Sequence, residues 1–353
     1  MLENNLRILQ NKKLYWQNNY NLFVNIIKFK SLHFLKYTYL FNRFDCKPNI
    51  IILLPYLFFS LVKGKQYRKD LIRSYEVNRI NCFPELTSKK NQPAIEILIN
   101  STSKDFKYLN TVINSAVANS YNGIAKISIT VPKKEVNACR NLLSKNEYNN
   151  KIEVKSEDDI LNYQITKKIK EYFPQKYGWV LQQFLTIEQV INSQFTGVLQ
   201  INSDTLILKP VLWLDYDGNQ PLFVSSEYNL PYYQLLNKIN NKFPIETYSH
   251  ITHHMMFQPK FLRAIMNKSN LSSTEHLLDV VLENYDRNAS SPICIEFEFY
   301  ALGMLTYFRE NAIISKFSNV SLNLKPGLSN VEFESVIKKL SNMYNSVSMH
   351  SYL

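Results

Sequence analysis

A short polar segment between two largely apolar runs carries the first set of candidate ligand atoms. Asn202, Ser203 and Asp204 follow residues 197–201 and precede a second apolar run. A strand that ends at a carboxylate presents it at the edge of a sheet, and Mg²⁺ or Mn²⁺ takes such hard oxygen ligands. Asp204 supplies a carboxylate, and Asn202 supplies an amide oxygen for a metal or a ribose hydroxyl. The alternative is a strand end closed by an Asx turn, without a ligand.

Two adjacent histidines form the second candidate. His253 and His254 follow Thr252 and precede the apolar residues 255–257. In an extended segment, neighbouring side chains point to opposite faces, so one imidazole faces a site and the other faces the interior or solvent. A neutral imidazole binds a metal or donates to phosphate oxygens. The alternative is a pair that only packs and hydrogen-bonds within the fold.

Two carboxylates separated by one aromatic residue form the third candidate. Glu296 and Glu298 alternate with aromatic residues in the segment 295–300, which favours an extended segment that runs into a helix. The two carboxylates then share one face and can serve as an acceptor-activating base and its orienting partner. The alternative is the first turn of a helix, where the helix dipole favours glutamate.

A pair of glutamines near a glycine and a tryptophan forms the fourth candidate. Gly178 and Trp179 suit a tight entry into a helix, and Gln182 and Gln183 follow on its first turns. Two amides can bind a hydroxyl-rich ligand or cap neighbouring backbone groups. Helical spacing alone predicts that Trp179 is buried in the core.

The elements that must position these residues alternate along the chain from residue 94 to residue 308. The predicted strands cover residues 94–100, 124–131, 151–155, 222–225 and 254–257, and the predicted helices cover 105–120, 133–143, 158–172, 179–191, 259–266, 274–283 and 297–308. This alternation predicts an α/β domain with a mostly parallel sheet covered on both faces. Ligands of such sheets bind beyond the carboxyl ends of the strands. The seven glycines form neither a dinucleotide-binding fingerprint nor a P-loop, which excludes the nucleotide-binding classes that depend on them.

The N-terminal quarter of the chain is strongly basic. Residues 1–93 contain 16 lysines and arginines and five acidic residues, a net charge of +11, against +12 for the whole chain. Basic and bulky apolar residues alternate there, which predicts amphipathic helices. The uncharged residues 49–62 are shorter than the roughly 20 residues of a membrane-spanning helix. They favour either an interfacial segment on an anionic membrane or a buried helix docked on the main domain.

The same basic extension leaves nucleic acid as a further partner class, although the chain contains no recognisable nucleic-acid-binding motif. The four cysteines are widely scattered, without metal-ligand or redox spacing. We therefore expect a protein of the reducing cytoplasm, with residues 1–93 placing it on the inner face of the membrane.

Taken in order, the four motifs resemble a little-characterised family of glycosyltransferases from bacteria and their viruses. In that family a Gly-Trp-x-x-Gln-Gln helix precedes a strand that ends in Asp-x-Asp-Thr, and Thr-His-His-Met-h-Phe and Glu-h-Glu-h-Tyr segments follow, where h is hydrophobic. The matching residues lie at 178–183, 203–205, 252–257 and 296–300, and the resemblance spans Ala94 to Phe308. Two positions depart from the pattern, because Asn202 replaces the first aspartate and Thr186 replaces a lysine.

The resemblance implies a GT-A fold, a nucleotide-sugar donor, Mn or Mg, and a glycan, lipid-linked or protein acceptor. It assigns Glu298 and then Glu296 to catalysis. It assigns the metal to Asp204, Asn202 and His254. The nucleotide-sugar set consists of Asp105, Asn202, Ser203, Asp204, Gln182, Gln183 and His253. We expect a basic helical extension over 1–93, the GT-A-like domain over 94–320 and a helical tail over 321–353. A non-catalytic sugar-nucleotide or glycan-binding descendant of the fold is the alternative that Asn202 and Thr186 motivate.

Overall fold

The computed structural model describes residues 92–225, 227–246, 248–286, 293, 295–322 and 330–349. The predicted amphipathic helices of the N-terminal extension and its uncharged stretch lie outside the described residues. Within the described part of the chain, no helix combines the length and apolar character needed to cross a membrane.

Strands and helices alternate through most of the described chain. The described residues form the strands β1 Ile95–Asn100, β2 Ile124–Val131, β3 Ile152–Ser156, β4 Val198–Ile201, β5 Thr205–Ile207, β6 Gln220–Val224, β7 His254–Phe257, β8 Ala312–Lys316, β9 Asn319–Leu322 and β10 Ser346–Met349. They also form the helices α1 Phe106–Ala118, α2 Val136–Leu143, α3 Tyr163–Tyr172, α4 Tyr177–Asn192, α5 Leu230–Ile239, α6 Pro259–Lys268, α7 Thr274–Asn284, α8 Glu296–Tyr307 and α9 Asn330–Ser341.

The central sheet has the strand order β3-β2-β1-β4-β7, and β7 is its antiparallel strand. Every residue of β1 is buried, as expected for a parallel strand covered on both faces. Leu98 packs in one core with Leu181 of α4, and Ile97 packs in the other core with Leu109 of α1. The predicted α/β class, with a mostly parallel central sheet flanked by helices, is confirmed.

The C-terminal part of the chain contributes a strand to a second sheet. β10 lies between β5 and β9 in a three-stranded sheet, and its central residue Val347 is fully buried. A separate pair joins β6 to β8. The segment predicted as a helical tail therefore holds a helix, α9, and also a strand that completes a sheet.

Candidate functional site

A cleft of about 360 Å³ opens where the carboxyl ends of β1 and β4 lie side by side. From β1 the chain proceeds to β2 and β3 on one side, and β4 then pairs on the other side. This reversal of winding is the place where open α/β sheets bind ligands. One side of the cleft consists of the loop 100–105 and Ser203, and the other side consists of the first turns of α4.

The loop after β1 places Asp105 in the cleft. The carboxylate of Glu135 accepts hydrogen bonds from Ser103 N at 2.7 Å and Ser103 Oγ at 2.9 Å, which fixes the short helical turn Ser103–Asp105. Ser203 Oγ donates to Asp105 Oδ2 at 2.9 Å, so the ends of β1 and β4 are joined across the cleft. Burial raises the pKa of Asp105, and the nearby charge of Asp204 adds to the effect.

The side chain of Asn202 is held on both of its polar atoms. Its Oδ1 accepts from Gln182 Nε2 at 3.3 Å and from Gln200 Nε2 at 3.1 Å. Its Nδ2 lies 3.3 Å from His253 Nδ1. His253 has a φ of 64°, a left-handed conformation that costs a non-glycine residue energy, and its carbonyl accepts from Asn202 N at 2.9 Å. Asn202 therefore joins α4, β4 and the turn before β7.

Asp204 directly precedes β5 and is half-buried. Its Oδ1 accepts from Thr205 Oγ1 at 3.3 Å, and its backbone carbonyl accepts from Met349 N of β10 at 2.8 Å. The C-terminal strand thus fixes the backbone that carries this carboxylate. The acidic segment predicted from the sequence lies beside the cleft with Asp105.

The geometry does not fit His254 as a metal ligand. Its ring is fully buried, and ring centroids of Trp213, Phe223 and Phe317 lie 5.4, 5.6 and 4.5 Å away. Neither ring nitrogen has a hydrogen-bond partner among the described residues, and burial lowers the pKa of His254 to about 3. His253 faces the strand end and His254 faces the interior, but the backbone at His253 is left-handed and not extended as predicted. The described residues contain no group of three His, Cys, Asp or Glu suited to a metal ion.

The two glutamines of α4 have different surroundings. Gln182 lines the cleft, and its backbone carbonyl lies 3.3 Å from Asn100 Nδ2. Gln183 is buried, and its side chain donates to Ile293 O at 3.0 Å and accepts from Ile295 N at 2.7 Å. Gln183 thus holds the chain that enters α8 and does not line the cleft, contrary to its predicted role in ligand binding.

The predicted extended segment at Glu296 and Glu298 is wrong, because both residues lie in the first turn of α8. Glu298 is fully buried, and its Oε1 accepts from Ser249 Oγ at 2.7 Å and from His250 N at 2.9 Å. Burial raises the pKa of Glu298 to about 7 and that of Glu296 to about 8. Neither carboxylate is among the residues that line the cleft.

Position 186, where the sequence pattern that this chain resembles has a lysine, belongs to the interior. Thr186 is fully buried, and its Oγ1 accepts from Asn100 Nδ2 at 2.9 Å and donates to Gln182 O at 3.0 Å. The threonine therefore supports the residues at the base of the cleft.

Two cleft residues were mispredicted or missed. Trp179 was predicted to be buried, but 38% of it is exposed and it lines the cleft. Glu157 follows β3 in a short turn that a capping box between Ser156 and Asp159 fixes, and it also lines the cleft. Burial raises the pKa of Glu157 to about 7, and the charges of Asp158 and Glu135 add to the effect. The sequence feature that could have identified Glu157 as a cleft residue is its position directly after a third parallel strand.

Several solved glycosyltransferase structures resemble the chain at low sequence identity. The galactosyltransferase LgtC, solved with donor and acceptor sugar analogs, is 11% identical, with coverage of 72% of this chain and 86% of its own and a TM-score of 0.37. Mouse xyloside xylosyltransferase 1 is 9% identical, with coverage of 73% and 98% and a TM-score of 0.37. The S. cerevisiae mannosyltransferase Ktr4p is 10% identical, with coverage of 68% and 72% and a TM-score of 0.43. No family model and no curated protein matches the chain.

Proposed function

We propose that the cleft binds a nucleotide-sugar donor and that the protein transfers the sugar to an acceptor hydroxyl. The observation that supports this most is the meeting of Asp105, Gln182 and Ser203 at the carboxyl ends of β1 and β4, with Asn202 and His253 directly beside them. These residues come from four separate segments of the sequence. Carboxylate, amide and hydroxyl groups at a switch point suit the ribose and diphosphate of a nucleotide.

The charges around the cleft favour a divalent cation as the companion of the diphosphate. Asp105 and Glu157 line the cleft, Asp204 acts electrostatically on Asp105, and the lining includes one lysine, Lys104. An acidic lining repels a diphosphate unless a cation accompanies it. Mg²⁺ is commonly held by one or two carboxylates, substrate phosphates and water, and this requires no cluster of three protein ligands. The available carboxylate oxygens therefore fit Mn or Mg bound to Asp204, with Asp105 as the neighbouring carboxylate. When bound, the cation would offset the charge that develops on the leaving diphosphate.

In this proposal, the remaining predicted residues position the groups that form the cleft. The amide oxygen of Asn202 is already shared by two glutamine donors, so Asn202 orients the strand end and His253 instead of binding the metal. Glu296 lies near enough to Thr186 for that hydroxyl to affect its pKa, and Thr186 contacts Asn100 at the base of the cleft. Glu298 holds Ser249 and the backbone of His250. We therefore assign both glutamates to support of the cleft.

A donor screen tests the proposal. The full chain is titrated with nucleotide diphosphates and nucleotide sugars, with and without MnCl₂, and thermal unfolding and product formation are followed. We expect one nucleotide to raise the melting temperature, more so with Mn²⁺, because a ligand that binds only the folded state stabilises it. Asp204→Ala should abolish the gain due to Mn²⁺, whereas Asp217→Ala, which removes an exposed aspartate that neither lines the cleft nor is among the charges that shift the pKa of Asp105, should keep it. If no nucleotide shifts the transition, the proposal fails.

A non-catalytic binding protein of the same fold is the second candidate. It is favoured by Asn202, since an amide at this position gives one negative charge fewer beside the diphosphate than the aspartate of the related family. Such a protein would show the nucleotide-dependent shift without transfer or hydrolysis of the donor sugar. Measured turnover that Asp204→Ala abolishes would exclude it.

A further inference from the structure

We propose that Trp179, Tyr232 and Glu157 form a subsite for a sugar ring of the acceptor, so that the acceptor is a glycan. The inference rests on the proposed function, because it concerns the α4 side of the same cleft. It assigns a role to the exposed Trp179, to the partly buried Tyr232 beside it, and to Glu157, which the donor site uses only as part of the acidic lining.

Trp179 has the exposure and the location of a stacking residue. It is 38% exposed within the cleft, while Trp213 is fully buried in the core. Its ring centroid lies 6.5 Å from that of Tyr232 on α5, with an angle of 37° between the rings. An exposed indole ring leaves a large apolar face in water, and that face is stabilised when a flat, partly apolar ring covers it. The C–H face of a pyranose is such a ring.

Glu157 and Gly178 supply the polar contact and the space. A carboxylate accepts several hydrogen bonds, so Glu157 can hold the hydroxyls on the rim of a sugar ring. Gly178 also lines the cleft, and no atom lies within 4 Å of the position where a Cβ would stand on this residue. A ring that stacks on Trp179 can therefore lie over the backbone of α4 without a clash.

The apolar surface favours the acceptor over the donor as the bound sugar. Lys104, Asp105 and Ser203 stand on the other side of the cleft and supply the polar contacts for the nucleotide. On the α4 side, Trp179 lies beside Tyr232 of α5, which is partly buried and is not among the cleft-lining residues, so aromatic surface extends from the cleft toward α5. A donor is confined to the cleft, whereas an acceptor of several sugars extends along such a surface.

Glycan-array binding by the full chain, in parallel with nucleotide thermal shifts, tests this inference. The probes are immobilised oligosaccharides of hexoses and N-acetylhexosamines, with the nucleotide diphosphate that the donor screen selects. We expect the wild type to bind a subset of the glycans. Trp179→Ala should lower the affinity for these glycans about tenfold, which corresponds to the loss of one stacking contact. Tyr232→Ala and Glu157→Gln should lower the affinity for the same glycans, and Trp179→Phe should retain most of the binding. Tyr216→Ala, which removes an aromatic side chain that is 79% exposed outside the cleft, is the matched control.

The two readouts separate this inference from the proposed function. Glycan binding that depends on Trp179, with the nucleotide shift unchanged in Trp179→Ala, supports the subsite. Loss of the nucleotide shift in Trp179→Ala with unchanged glycan binding would show that the indole stacks on the nucleobase, and this overturns the inference. A wild type that binds the nucleotide but no glycan also overturns it, whereas a wild type that binds no nucleotide overturns the proposed function itself.

Discussion

The adjacent glutamines of α4 differ in their surroundings, because Gln182 lines the cleft and Gln183 holds the chain before α8. Gln183→Ala removes both hydrogen bonds to the chain before α8 and should lower the free energy of unfolding by about 1–3 kcal/mol. Gln182→Ala should cost less, about 0.5–1 kcal/mol, because it removes one part-buried hydrogen bond, to Asn202 at 3.3 Å. It should also reduce the nucleotide-dependent thermal shift. Urea denaturation and thermal shifts of both variants test this, and equal stability losses would contradict it.

The residues that sequence analysis placed correctly and those it misplaced differ in the backbone on which they lie. Asp105 and Ser203 follow parallel strands, and the carboxyl ends of such strands meet whatever the details of the loops. Glu296 and Glu298 were placed on one face because alternate residues share a face in a strand. In the helix observed, residues two apart point in nearly opposite directions. Trp179 was misplaced because helical spacing indicates an apolar stripe but not what covers it.

Close packing of helices α6 and α8 depends on a glycine. A Cβ on Gly303 would lie 2.5 Å from Ile265 Cγ2 and 2.6 Å from its Cδ1, both on a fully buried side chain. Gly303→Ala should therefore destabilise the protein by about 1–3 kcal/mol, as overpacking of a core does. Equilibrium unfolding measures the loss.

The double variant Gly303→Ala/Ile265→Ala should lose less stability than the sum of its single variants, since the smaller side chain at 265 relieves the clash. Gly178→Ala is the matched control within a helix, because a Cβ there meets no atom within 4 Å. Its stability should stay equal or rise by up to about 1 kcal/mol, through the higher helix propensity of alanine. A Gly303→Ala variant as stable as this control would disprove the packing argument.

Among the elements, local sequence patterns predicted strands of the central sheet but did not predict the strands of the C-terminal part. The bounds of β2 and β7 match the prediction, because apolar alternation and a proline or polar residue mark their ends. β8, β9 and β10 carry weak patterns, and each depends on a partner distant in sequence. Ala312 of β8 pairs with Gln220 of β6, and Ser346 of β10 pairs with Ile207 of β5. Pairing over such separations follows from the assembled fold and not from the strand itself.

For the whole molecule, buried titratable groups predict a stability that falls on both sides of an optimum pH. Burial raises the pKa of Glu298 to about 7 from 4.5. Its contribution to the free energy of unfolding is full below pH 4.5, where this carboxyl is protonated in both the folded and the unfolded state. The contribution is lost as the pH rises through 7. Burial lowers the pKa of His254 to about 3 from 6.5. Its contribution is full above pH 6.5 and is lost as the pH falls toward 3.

Between pH 4.5 and 6.5 the two contributions oppose each other, so the stability of Glu298→Gln should rise with pH there, and that of His254→Phe should fall. Each change should be on the order of a few kcal/mol across its window. Denaturant titrations of the wild type and both variants from pH 4.5 to 8 measure these slopes. Parallel curves for all three proteins would show that other groups govern the pH dependence.

The charge distribution over the whole chain predicts an association with anionic membranes through residues 1–93. These residues carry a net charge of +11, and the rest of the chain is nearly neutral. Each lysine or arginine near an anionic surface contributes about 1 kcal/mol, so the full chain should float with vesicles that contain phosphatidylserine or phosphatidylglycerol. A chain of residues 94–353 should remain at the bottom of the gradient, and phosphatidylcholine vesicles are the control. Binding should weaken as salt screens the charges. If the full chain instead binds DNA with a steep salt dependence and ignores every vesicle, nucleic acid is the partner of the extension. If it binds neither, residues 1–93 serve the protein itself, as the docked-helix alternative requires.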